Sequence, residues 1–263
     1  MWGRCRGKVH VSASSGLTSG SVGKVRPPKT SERVARELVN HIVDNDLAEG
    51  TKLPNEKQLV EVFDIGRTTL REALRLLETR GVITIRSGPG GGPVVRRPRP
   101  DDLRESLTLM LQFTGSSLTD VLDARLALEP MMAGLAAQRI DAEQVAELRR
   151  SVERMRENSG NQAQFLQENQ VFHSLVAEAA GSSVLWVFNE TLKSIADGGV
   201  MGVEYSPPRR AAVAAAHEKI VDALATGDAH SAEEAMRQHM REAGEYWRRK
   251  YPELTSRGVR WLH

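Results

Sequence analysis

Cysteine is almost absent: Cys5 is the only one in 263 residues, which excludes a disulfide framework. Long apolar runs are missing too. No stretch approaches the roughly 18 residues that a membrane-spanning helix needs. The opening segment, MWGRCRGKVHVSASSGLTSGSVGK, is basic but lacks the apolar core of a secretory signal. The expected location is therefore the cytoplasm, with no membrane partner. There is no internal repeat, and no HExxH-like signature of a zinc hydrolase. Acid is missing from one end. Residues 1–29 carry six basic side chains and no carboxylate, and residues 66–99 hold eight arginines against two glutamates. The net charge of +2 thus hides an acidic remainder: residues 100–263 sum to −6. Such asymmetry fits a chain that meets a polyanion at one end only, although an ordinary solvated surface accounts for it equally well.

What is present divides into two patterns. Residues 1–29 are rich in Gly, Ser and Pro without periodicity and read as a disordered basic arm. From Ser31 the pattern turns helical, with Val34, Leu38, Ile42 and Val43 on one face. The stretch AEGTKLP ends that helix, and Asn55 suits the cap of a short second one with Leu59, Val60 and Phe63 inward. DIG is a tight turn, and Gly66 precedes a third helix ending near Arg80-Gly81. Val82–Arg86 and Val94–Arg97 read as strands around a Gly/Pro loop, hence a hairpin. This order predicts a winged helix-turn-helix over 30–97. RPRP breaks regular structure and predicts a linker over 98–103. Beyond it only helical periods occur, over 101–113, 118–139, 142–158, 162–180, 183–196, 208–226 and 231–251. Ser117 with Asp120 resembles a capping box, and Pro130 is expected to kink or break its helix. The second domain, 104–250, is expected to be an all-α antiparallel bundle followed by a tail at 251–263.

The third helix carries two stripes. Leu70, Ala73, Leu74 and Leu77 form a core face. Arg67, Arg71 and Arg75 drift by only about 40° per step and form a basic edge, with Thr68 beside it. Free N–H groups at the helix start add partial positive charge. That edge suits phosphate contact and guanine reading, while pairing with neighbouring glutamates, as Arg75 with Glu78, is the ordinary alternative. In the acidic half, three of the seven histidines lie on apolar helix faces. His173 sits one turn from Asn169 and shares a face with Val176. His217 lies with Ile220, Val221 and Leu224, and His239 with Ala232, Ala235 and Met236. Separately each is a core histidine; together, converging in one bundle, they suit a divalent metal, zinc or nickel rather than magnesium. His230 reads as solvated, and His10, His41 and His263 have no supporting pattern.

The segment GTKLPNEKQLVEVFDIGRTTLREALRLLETRGVITIRSGPGGGPVV resembles the DNA-binding domain of the GntR family of bacterial transcriptional regulators, over about sixty residues. In FadR-type members the positions of Lys57, Arg67, Thr68, Thr69, Arg71, Ser87 and Gly88 contact DNA. Lys57 stands here where arginine is frequent, and Gly66 where serine is frequent. The segments DARLALEPMMAGLAAQR, FHSLVAEAAG and HEKIVDALATGDAHSAEEAMRQHM resemble the FCD effector-binding domain that follows in those regulators, over about 105–245. The resemblance implies a divalent metal held by His173, His217 and His239, with Asn169 where the family has aspartate. An amide oxygen can ligate but brings no charge, so the site is left positive and favours a small anionic effector. Arg125 is a candidate carboxylate partner, with a surface ion pair to Glu129 as the plainer reading. Together these features imply a ligand-responsive repressor whose homodimer binds a pseudo-palindromic DNA operator and is released or altered by a small carboxylate or acyl effector. Two rivals follow from the same residues: a metal-dependent hydrolytic enzyme using the three histidines, and a regulator whose pocket takes a larger acyl ligand without metal.

Overall fold

The computed structural model of the protein describes residues 29–88 and 90–261. The expected basic arm falls outside the described residues except for Lys29, and Cys5, His10 and His263 fall outside them as well.

The first helix, α1 (Thr30–Asp44), buries Val34, Ala35 and Leu38. Ile42 is only half-buried, and Val43, expected on the same face, is 68% exposed. Helix α2 (Glu56–Phe63) opens on a reciprocal cap, in which Asn55 Oδ1 accepts from Gln58 N at 3.0 Å and Asn55 N donates to Gln58 Oε1 at 3.0 Å. It ends at Asp64, whose left-handed backbone (φ 48°) makes the turn into α3 (Arg67–Thr79). Leu70, Ala73, Leu74 and Leu77 of α3 are buried with Val34, Leu38 and Leu59, which is the small core of this domain.

The hairpin pairs β1 (Ile83–Arg86) with β2 (Gly92–Val95) in antiparallel register, Ile83 opposite Val95 and Arg86 opposite Gly92. The second strand thus begins and ends two residues earlier than the sequence predicts. Pro93 looks like a breaker in sequence, yet here it needs no N–H toward β1 and its carbonyl accepts from Leu53 N at 3.0 Å. Residues 50–53 run along β2 as a further edge, with Val95 N donating to Thr51 O at 2.9 Å.

The expected linker over 98–103 is shorter in the structure. Helix α4 (Pro100–Thr114) starts at Pro100, whose fixed φ suits the first helical position. Then come α5 (Leu118–Ala137), α6 (Ala142–Glu157), α7 (Gln162–Ala179), α8 (Ser183–Ile195), α9 (Pro207–Ala225) and α10 (Ala229–Lys250), an all-α bundle. Ser117 and Asp120 cap α5 reciprocally. Pro130 does not break α5, which runs through it. Helix α5 is buried on several sides, against α7, α8, α9 and α10, and that packing outweighs the cost of about 3 kcal/mol for an interior proline. The tail holds one more helix, α11 (Pro252–Ser256), and then returns along the start of α5: Val259 is buried and its N donates to Ser116 O at 2.8 Å. No helix of the described residues is long and apolar enough to cross a membrane.

Candidate nucleic-acid interface and metal centre

The leucine stripe of α3 is consumed by the core, so the opposite edge must face out. Arg67, Thr68, Arg71 and Arg75 are exposed and Thr69 is half-buried. Gly66 caps α3 without any side-chain hydrogen bond, which leaves the first-turn N–H groups open to an anion. Arg71 Nε sits 3.1 Å from Glu56 Oε2, an exposed pair that ties α3 to α2. Lys57, next to Glu56, is exposed. The alternative pairing of Arg75 with Glu78 is not formed; Glu78 Oε1 instead accepts from Ile85 N at 3.0 Å and braces the hairpin against α3. Ser87 and Gly88 lie exposed at the hairpin tip beside Arg86. The tip folds on itself, with Gly91 N donating to Gly88 O at 2.9 Å. A Cβ on Gly91 would stand 2.2 Å from Arg86 O, so only glycine fits there. The result is a basic helix edge and a nearly side-chain-free wing on one domain, a geometry suited to a major groove and its neighbouring backbone.

The second site lies inside the bundle. His173 comes from α7, His217 from α9 and His239 from α10, and all three are buried. Phe172 stacks on His217 at 3.8 Å between ring centres and holds that imidazole in place. The Nε2 atoms converge: His217 to His239 at 3.2 Å, and His239 to His173 at 3.3 Å. Imidazoles on one tetrahedral ion, each at about 2.0–2.1 Å, hold their nitrogens about 3.3 Å apart. A proton is a poor alternative occupant. His173 Nδ1 lies against a Glu129 carboxylate oxygen, so the neutral ring carries its hydrogen there and turns a lone pair inward. One N–H cannot satisfy three converging nitrogens. Burial, and then the neighbouring histidines, push His217 well below its usual pKa. Burial, and then His173, lower His239 to about 3. The His217 and His239 rings are therefore neutral near pH 7, the state that ligates. These residues therefore fit a divalent ion with nitrogen preference.

Arg125 is not on the surface. It is buried on α5, with its Nε 2.7 Å from Glu129 Oε1. Burial alone would raise the Glu129 carboxyl, but the Arg125 guanidinium and His173 hold it well below the carboxylate range. Beside the histidines is a cavity of about 50 Å³ lined by Arg125, Asn169, His173, His239, Tyr205 and Trp247. Asn169 thus stands next to the cluster, one helical turn before His173.

Bacterial regulatory proteins of the gntR family match residues 30–91, and the FCD domain matches residues 120–242. The HTH-type transcriptional repressor NanR of Cronobacter sakazakii is 28% identical over 83% of this chain and 85% of its own length. The uncharacterized HTH-type transcriptional regulator YcbG of Bacillus subtilis is 26% identical over 86% of this chain and 93% of its own length. Among solved structures, the Streptococcus agalactiae GntR superposes with a TM-score of 0.65 at 28% identity, covering 82% of this chain and 99% of that one. The chain belongs to the GntR family. It is a DNA-binding, ligand-responsive transcriptional regulator with an FCD domain, and not an enzyme.

The hydrolytic alternative fails for this GntR-family chain on its family and also on its side chains. Glu168, which precedes Asn169 in sequence, is tied to Arg154 Nε at 3.1 Å. Sequence reasoning missed Glu129 as the partner of His173. The available signal was a charged pair, Arg125 and Glu129, spaced by four on a helix otherwise rich in Leu, Ala and Met. It also missed Glu56 as the resting partner of Arg71, because sequence spacing does not reveal a contact between two helices.

Proposed function

We propose that this GntR-family regulator is a repressor whose homodimer grips a pseudo-palindromic operator. In this reading Arg67, Thr68, Thr69 and Arg71 of α3 enter the major groove, Lys57 holds a phosphate, and Ser87 and Gly88 approach the backbone at the wing. His173, His217 and His239 hold a divalent ion, zinc or nickel, with the Asn169 amide oxygen as a weaker fourth donor. The ion supplies uncompensated positive charge at the cavity wall. A small anionic effector docks there, with Arg125 as a further charge.

The observation that carries this reading is the convergence of three buried Nε2 atoms beside a cavity walled by Arg125. Support for a dimer comes from α4, where Met110 is 66% and Phe113 86% exposed on one face. A second copy of the same helix would cover that face isologously. The test is operator binding by the full chain, stripped of metal and then reloaded with zinc, with small mono- and dicarboxylic acids added in turn. An acid that loosens the operator only in the zinc-loaded protein supports the reading. Metal uptake with no response to any acid contradicts the effector assignment.

A further inference from the structure

The two domains meet through an unusually close contact at the end of the recognition helix. Helix α3 terminates with Gly81 in the left-handed region (φ 70°) and with Val82 N donating back to Leu77 O at 2.9 Å. A Cβ on Gly81 would lie 2.4 Å from Asp102 Oδ2 and 2.5 Å from Arg96 Nη1. The Asp102 carboxylate therefore rests directly on the backbone where α3 ends. It accepts from Arg96 Nη1 at 2.8 Å and from Arg99 N at 2.7 Å. Arg96 follows β2 and is fastened to the wing through its own N–H, which donates to Val82 O at 2.8 Å. Asp102 lies in the first turn of α4. One carboxylate thus joins wing, recognition helix and bundle, across a linker whose freedom is already limited by Pro98 and Pro100.

The joint continues toward the histidine cavity. Ser194 Oγ of α8 donates to Asp101 Oδ1 at 3.0 Å, and Thr191 Oγ1 reaches Pro100 O at 3.4 Å. Between these two residues on the same helix, the buried Lys193 donates to Gln170 O at 3.0 Å and also to Ser174 Oγ. Gln170 and Ser174 flank His173 on α7. The other ties between the linker and the winged domain, Arg97–Asp46 and Arg99–Glu49, are exposed pairs at 3.5 and 3.2 Å and add little rigidity.

The geometry points to Asp102 as a positioning residue for operator reading: it sets the angle of the winged domain on the bundle, and so the separation of the two recognition helices in a dimer. The inference rests on the dimeric reading above. Asp102 touches no DNA-reading residue, so its loss changes where α3 points and leaves what α3 reads unchanged.

The experiment uses the full chain and an operator selected by the wild type from random duplex DNA. Affinity is measured for that operator, for the same operator with one base pair inserted between half-sites, and for a single half-site at low salt. Wild type should prefer native spacing by about tenfold or more, because two rigid recognition helices must both fit. Asp102→Ala and Asp102→Asn should keep half-site affinity within about twofold while the spacing preference falls toward unity. A variant that retains the wild-type spacing preference overturns the inference. Half-site affinity falling in step with operator affinity overturns it as well, because Asp102 then supports the winged domain itself. A wild type indifferent to spacing contradicts the dimeric reading instead.

Discussion

Glu129 on α5 and His173 on α7 share a proton-bearing contact: a Glu129 oxygen accepts from His173 Nδ1, while the other oxygen accepts from Arg125 Nε at 2.7 Å. The arrangement fixes which ring nitrogen of His173 faces the cluster, as carboxylates do behind metal-bound imidazoles. Glu129→Gln should therefore weaken zinc binding by about 10–100-fold, measured by competition against a chromophoric chelator. Undiminished zinc affinity would remove Glu129 from the site. The same substitution leaves Arg125 buried with a neutral partner, so the melting temperature of the metal-free chain should also fall.

On the DNA side, Arg67→Ala and Arg71→Ala should each cost about 1–3 kcal/mol of specific operator binding if the guanidinium groups read bases. Arg71 leaves Glu56 at little cost, since an exposed pair contributes about 0–1 kcal/mol. Lys57→Ala should weaken all duplexes alike and reduce the salt slope by about one unit. Filter binding or fluorescence anisotropy over a range of salt separates the two behaviours. A double Arg67, Arg71 variant with full operator affinity would refute the assignment of α3.

The proposed dimer face on α4 has its own test. Phe113 is 86% exposed in the single chain, so Phe113→Asp should leave monomer folding intact. Sedimentation should show monomer at micromolar concentration, and operator affinity should fall to that of a half-site. A variant that stays dimeric places the interface elsewhere.

Gly66 and Gly91 predict opposite outcomes from equally small changes. Gly66 has an ordinary extended backbone (φ −70°) and open space around it, so Gly66→Ser should be tolerated and add a few tenths of a kcal/mol of helix stability. Gly91→Ala drives a methyl group against Arg86 O and should distort the wing. Thermal melts distinguish them, and wing distortion should lower operator affinity while leaving zinc uptake unchanged.

Much of the architecture was legible because it depends on local periods. The leucine stripe of α3 and the apolar stripes around His173, His217 and His239 each follow from about 3.6 residues per turn. What escaped depends on contacts between elements. Pro130 reads as a helix breaker in isolation, but the burial of α5 on several sides carries the helix through it. Pro93 reads as loop, but its partners in the hairpin require no N–H. The linker reads as longer because Pro100 marks a break in sequence, whereas in the fold it starts α4. Inward faces could be assigned from sequence to all three histidines, but the distances of 3.2 and 3.3 Å between their Nε2 atoms exist only once α7, α9 and α10 are packed.

Asn169 offers a graded test of charge at the proposed metal site. Asn169→Asp places a charged oxygen where the amide stands, so it should tighten zinc binding and weaken binding of an anionic effector. Calorimetry on both proteins reads the two effects separately. Changes of the same sign would show that Asn169 does not face the ion.

The proposal that three buried imidazoles hold one divalent ion is checked by titrating zinc into the chelator-treated full chain at neutral pH. Saturation at a single equivalent is expected, with a rise in melting temperature on loading and loss of both in His239→Ala and His217→Gln. A wild-type chain that takes up no zinc or nickel under these conditions, with Asn169→Asp equally inert, would show the three histidines to be core residues or the lining of a metal-free pocket.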